Sequence, residues 1–180
     1  MIYRSLLWFI ILFVMSHLTF AAKQHFIIDT DAASDDAIAI LYLLQQPNIA
    51  VDAITIVGTG EVPCKPALYN IHALLKLANQ SHIPIACGRE LPLKGQHHFP
   101  DFLTKDQATL SNTNHLLPRV RADKPTLSAI DLFIHTLHAS SHPVTLLTLG
   151  PLTNIAEALQ KSPEIKHRIQ AIFIMGGAVL

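Results

Sequence analysis

Charge is scarce in this chain. Asp, Glu, Lys and Arg make up 14% of its 180 residues, and thirteen basic residues balance thirteen acidic ones. No basic run appears, so nothing suggests a nucleic-acid backbone as partner. Cysteine is scarcer still. Cys64 and Cys87 are the only two, and their separation fits neither a metal-binding nor a redox spacing. Two buried free thiols are the expectation, with pairing as the alternative in an exported protein. There is no internal repeat and no low-complexity tract. What the chain has is apolar bulk: half of its residues are hydrophobic. That is enough for a sizeable core in one domain, by the usual prior of roughly 100–200 residues.

The N-terminus reads as a targeting segment. Arg4 supplies a positive region, Leu6 to Met15 an apolar one, and Thr19-Phe20-Ala21 a small-residue cleavage site. The alternative is an uncleaved membrane anchor. Ser16 and His17 interrupt the apolar run, which falls short of the roughly 18 residues a span needs. The expectation is therefore a signal peptide over 1–22. The mature chain would start at Ala22 or Lys23, secreted or periplasmic, with no stable membrane anchor after cleavage.

Five apolar, β-branched-rich runs read as strands: His25–Asp29, Val51–Val57, Ile83–Ala86, Val144–Leu149 and Ala171–Met175. Most lack polar alternation, as parallel strands covered on both faces do. Helical patterns lie between them, over Asp35–Gln46, Lys65–Asn79, Thr126–Ala139 and Leu152–Gln160. The alternation predicts an α/β fold: an open, mainly parallel sheet with helices on both faces. Residues 88–124 break the pattern with Pro92, Pro100 and Pro118, and read as a long irregular excursion holding one short helix. His97-His98 within it reads as a solvated loop pair, with contact to a substrate as the alternative. His135 and His138, three apart on a predicted helix, have no acidic third ligand nearby.

The stretch Asp29-Thr30-Asp31-Ala32-Ala33-Ser34-Asp35-Asp36 carries the most chemistry. It follows the first strand and opens the first helix. Ligands of α/β sheets bind at the carboxyl ends of strands. Asp29 and Asp31, two apart, point to one face of extended chain. Asp35 and Asp36 sit where a helix N-terminus favours negative charge. Ser34 or Asp35 is a candidate N-cap. Caps explain one or two acids, not four. Four carboxylates repel unless a cation or shared protons hold them, and oxygen-only sites suit Ca²⁺ or Mg²⁺.

The same stretch, Asp-Thr-Asp-x-x-x-Asp-Asp-Ala-x-Ala, resembles the signature of the nucleoside hydrolases, the inosine-uridine-preferring ribohydrolases. Thr148-Leu149-Gly150-Pro151-Leu152-Thr153-Asn154-Ile155-Ala156 resembles that family's Gly-x-Leu-Thr-Asn segment, and Ile172-Phe173-Ile174-Met175-Gly176-Gly177 its strand ending in Met-Gly-Gly. The three occur in family order. The resemblance implies ribonucleoside hydrolysis to ribose and free base by a Ca²⁺-bound water. It implies Asp31 as Ca²⁺ ligand and base, Asp36 as a second ligand, and the Leu149 backbone carbonyl as a third. Asp35 would accept the ribose hydroxyls, Asp29 would be a supporting acid, Met175 would touch ribose, and Asn154 would brace the loop that carries Leu149. The partner implied is a small-molecule nucleoside. Base preference and oligomeric state stay open, a homo-oligomer being compatible.

Two departures stand out. The family loop after the second strand often reads Val-Gly-Asn; here it reads Val57-Gly58-Thr59-Gly60-Glu61, with Gly60 on the asparagine position. A divergent subgroup and lost activity are both compatible with that. The resemblance also implies a further aspartate ligand beside a leaving-group histidine, and an Asn-Glu-Asn ribose clamp, in a later half that has no counterpart here. Residues 23–180 thus read as the N-terminal part of such a domain, truncated after its fifth strand. Two readings compete. A haloacid-dehalogenase-like phosphohydrolase would use Asp29 as nucleophile and Asp31 beside Mg²⁺, but leaves Asp35-Asp36 without a role. An inactive remnant would bind metal or sugar without turnover.

Overall fold

The computed structural model describes residues 22–121 and 125–176. The signal peptide expected over 1–22, apart from Ala22, and Gly177 lie outside them. Five strands form one sheet: β1 (Gln24–Thr30), β2 (Ile49–Ile56), β3 (Ile85–Cys87), β4 (Val144–Thr148) and β5 (Ile169–Ile174). Among the described residues, five α-helices accompany them: α1 (Ser34–Leu44), α2 (Cys64–Leu77), α3 (Asp101–Ala108), α4 (Ala129–Ala139) and α5 (Thr153–Lys161). Every pairing is parallel, and the order is β3-β2-β1-β4-β5. The expected α/β architecture is thus present, and the strand order reverses between β1 and β4. The carboxyl ends at such a reversal open into the crevice where α/β sheets bind ligands.

Two apolar layers hold the sheet. Successive residues of a strand point to opposite faces, so Ile28 joins α1 and α2 in one core while Ile27 joins α4 and α5 in the other. Ile40, Ile71, Leu74 and Leu75 fill the first. Phe133, Leu137 and Leu146 fill the second. Burying both faces explains the unbroken apolar strands. The edge strand β5 differs: Ile172, Phe173 and Ile174 are exposed.

The excursion between β3 and α4 does hold one α-helix, α3, followed by a 3₁₀ turn at Asn114–Leu116. It packs back on the acidic loop. Gln107 of α3 accepts hydrogen bonds from the backbone N–H (2.9 Å) and hydroxyl (2.8 Å) of Ser34. That contact replaces the expected cap. The N-cap of α1 is Ala33, without a side-chain bond, and Ser34 is already helical.

The free-thiol expectation fails. Cys64 and Cys87 form a disulfide, with Cα atoms 5.7 Å apart. The reason is topological. Cys64 begins a helix and Cys87 ends the parallel strand that follows it, so both lie at the carboxyl edge of the sheet.

Candidate active site

The acidic loop is built by a sharp reversal. Ala32 adopts φ +62°, in the left-handed region, and turns the chain from β1 toward α1. Non-glycine residues there cost about 1–3 kcal/mol and cluster at functional sites. The Thr30 hydroxyl secures the turn. It accepts from the Ala32 N–H at 2.9 Å and donates to the Asp36 carboxylate.

Three of the four acids are buried: Asp29, Asp31 and Asp36 are 1%, 6% and 2% exposed. Asp29 Oδ1 accepts from the Thr55 hydroxyl at 2.6 Å and from the Asn154 amide at 2.8 Å. Its other oxygen is buried with no hydrogen-bond partner. Burial pushes Asp29 up to about 7, against the pull of those two bonds. Asp31 accepts from the backbone N–H of Glu61 at 3.1 Å. Burial raises Asp31 and Asp36 as well, and the negative charge of Asp31 adds to the rise at Asp36. Two neighbouring buried carboxyls resist being ionised together. Asp35 stands exposed at the mouth.

The chain approaches Asp31 closely from two sides. A Cβ on Gly60 would fall on the Asp31 Cβ and Oδ2 and lie 2.7 Å from its Cγ. A Cβ on Gly150 would sit 3.0 Å from the Asp31 Cβ and backbone nitrogen. The Leu149–Gly150 segment at the end of β4 therefore flanks Asp31, and the Leu149 N–H donates to the Asp29 carbonyl at 2.8 Å. Asn154, fully buried, links β1 to β2 through Asp29 and the Ile56 carbonyl (3.0 Å). It holds Asp29 directly, and the Asp29 carbonyl in turn accepts from the Leu149 N–H.

The structure thus brings Asp29, Asp31, Asp36, Leu149 and Asn154 together at the reversal between β1 and β4. Met175 is at the end of β5, its N–H bonded to the Thr148 carbonyl (2.8 Å) and the residue 51% exposed. His97 and His98 line a cavity of about 230 Å³ with Phe99, Gly58, Thr59 and Gly60. Gly60 forms its wall toward Asp31. His138 lies elsewhere, 3.4 Å from Glu164. Four contributors escaped the sequence reading: Thr30, Thr55, Glu61 and Gly150. Thr30 and Thr55 are polar interruptions at the carboxyl ends of apolar strands, which is the one signal that points to them.

The donor chemistry suits a hard cation. The set is oxygen only, with two buried carboxyls, Asp31 and Asp36, and an orphaned buried carboxylate oxygen on Asp29, all of which a cation would relieve. It is also sparse. Among the described residues, no three acidic, histidine or cysteine side chains form a ready metal-holding group. Asp31, Asp36 and the Leu149 carbonyl would leave most of the 6–8 oxygen positions of Ca²⁺ to water and other groups.

Comparison with known proteins agrees with this geometry. Residues 26–180 match the family described as inosine-uridine preferring nucleoside hydrolase. The pyrimidine-specific ribonucleoside hydrolase RihA of Escherichia coli O139:H28 is 35% identical over 153 residues, covering 85% of this chain and 48% of the relative. Among solved structures, the plant nucleoside hydrolase PpNRh1 aligns with a TM-score of 0.74 at 32% identity, covering 86% of this chain and 48% of its own. An inosine-guanosine nucleoside hydrolase aligns with a TM-score of 0.75 at 31% identity, covering 86% and 50%. The chain spans about half the length of the relatives it matches. The phosphohydrolase reading finds no support in any of these matches. By its three ordered motifs, its strand order and this match over residues 26–180, the chain belongs to the inosine-uridine preferring nucleoside hydrolase family.

Proposed function

We propose that this chain carries the cation-binding and water-activating part of a ribonucleoside N-glycosidase, with Ca²⁺ as the cation. The observation that supports it best is the buried Asp31–Asp36 carboxyl pair at the switch of the sheet, flanked by Gly60 and Gly150. Asp31, Asp36 and the Leu149 carbonyl would hold the ion, which lowers the pKa of water bound to it. Asp31 would take the proton from the attacking water. The Glu61 N–H bond to Asp31 orients the carboxylate while it does so. Asp35, exposed at the mouth, would accept hydrogen bonds from the ribose hydroxyls. As the base departs, C1′ gains oxocarbenium character. The cavity beyond Gly60, with His97, His98 and Phe99, is the space that would receive the base. Met175, at the far rim, would contact the sugar.

Export is part of the proposal. A disulfide at the site's edge suits an oxidising compartment, as the N-terminal pattern does.

The test is ribose release from inosine and uridine by the longest product of the reading frame, with Ca²⁺ and with chelator. Asp31→Asn keeps the size of the side chain and removes the base. Loss of a general base costs roughly 10²–10⁴-fold, so kcat should fall at least that far. An Asp31→Asn enzyme with undiminished kcat would refute the assignment.

A further inference from the structure

Glu61 is an acid beside Asp31 to which neither the motifs nor the comparisons give a role. It follows Gly60, whose missing side chain lets the loop lie directly against Asp31. The Glu61 N–H donates to Asp31 Oδ2 at 3.1 Å. Its Cα is one bond, about 1.5 Å, from that nitrogen. A glutamate side chain starting there can reach any ion that Asp31 holds. The residue is half-buried. Among the described residues no lysine, arginine or histidine forms an ion pair with it. A fifth acid beside four others, without a counter-charge, raises the repulsion that a cation would cancel. The orphaned Asp29 oxygen, buried at the same loop, independently calls for a positive partner.

We propose that Glu61 is a ligand of the same cation as Asp31 and Asp36, its side chain turning inward when the ion binds. This rests on the cation site argued above, and adds a third carboxylate to an otherwise sparse set. Ligand charge count is a main determinant of Ca²⁺ affinity, so the residue would set how tightly this chain holds its ion.

Calorimetric Ca²⁺ titration and Tb³⁺ luminescence lifetimes in H₂O and D₂O test it on the full chain, comparing wild type, Glu61→Gln, Glu61→Asp and Asp31→Asn. Glu61→Gln should weaken Ca²⁺ by about tenfold and add about one water to bound Tb³⁺, as loss of one charged ligand requires. The thermal midpoint of the ion-free protein should stay put, and Glu61→Asp should recover part of the affinity. Wild-type affinity and an unchanged water count in Glu61→Gln would overturn the assignment while leaving Asp31 and Asp36 in place. If the wild type binds neither ion, or Asp31→Asn binds as the wild type does, the cation site itself falls and Glu61 with it.

Discussion

Replacing Asp29 by Asn should flatten the pH dependence of stability in chelator. Asp29 is 1% exposed, and burial moves its carboxyl from the ordinary 3.8 to about 7. The unfolded chain loses this proton near pH 4, while the folded chain keeps it to about 7. Between those values the unfolded state binds fewer protons, so stability falls as pH rises. The contribution is whole below pH 4 and is lost as pH passes through about 7. Each pH unit in that window removes about 1.4 kcal/mol, or on the order of 4 kcal/mol in all. From pH 5 to pH 8 the share is roughly 3 kcal/mol.

Asparagine cannot ionise, so that slope should vanish from the variant. Its amide would meet the unpartnered side of the Asp29 pocket, a pH-independent cost of about 1–3 kcal/mol. The variant should therefore be the weaker protein at pH 5 and match or exceed the wild type at pH 8. Urea denaturation at four pH values between 4.5 and 8, followed by circular dichroism, reads both curves. The remaining titrating groups cancel in the difference between them. Parallel curves, offset but equally steep, would show that Asp29 is already ionised in the folded chain at pH 5.

The sheet and the position of the site were legible because their signals are local. Apolar runs punctuated by Gly and Pro mark strands, and an acid cluster after the first strand marks the switch point. What escaped depends on contacts between distant segments. Nothing near Cys64 announces that Cys87 returns to the same edge of the sheet. That follows only once α2 and β3 are known to be consecutive and parallel. Gly60 looked like a lost asparagine, with altered or abolished activity as the two readings. The structure adds that the backbone there is pressed against Asp31, where any side chain would collide. Ser34 looked like a cap by the local rule, but Gln107, 73 residues later, occupies the bonds that decide the geometry. Thr30 and Thr55 are ordinary strand residues by composition. Only the burial of Asp36 and Asp29 gives their hydroxyls a purpose.

Gly60→Ala should destabilise the fold by about 1–3 kcal/mol, the usual cost of overpacking a filled site, and should weaken Ca²⁺ binding by displacing the loop from Asp31. Urea denaturation within about 0.5 kcal/mol of wild type, the range of a neutral surface change, together with unchanged calorimetry, would refute the close approach. The disulfide makes a separate prediction. Cys64 and Cys87 lie 23 residues apart in sequence, and closing a loop of that size restricts the unfolded chain by about 3 kcal/mol. The paired serine variant should be less stable by about that amount. Stability alone would not locate the effect, but the bond has a second job. It pins the start of α2, three residues after Glu61, to the end of β3, and Gly88 just beyond packs on Asn154. Freed of that anchor, the loop that donates to Asp31 should exchange its Glu61 amide hydrogen faster, and amides in the α4–α5 layer should slow or quicken only with global stability. Hydrogen exchange at matched stability, in mild urea for the oxidised protein, separates the two. Equal protection of the Glu61 amide in both proteins would mean that Asp31 is held without help from the disulfide.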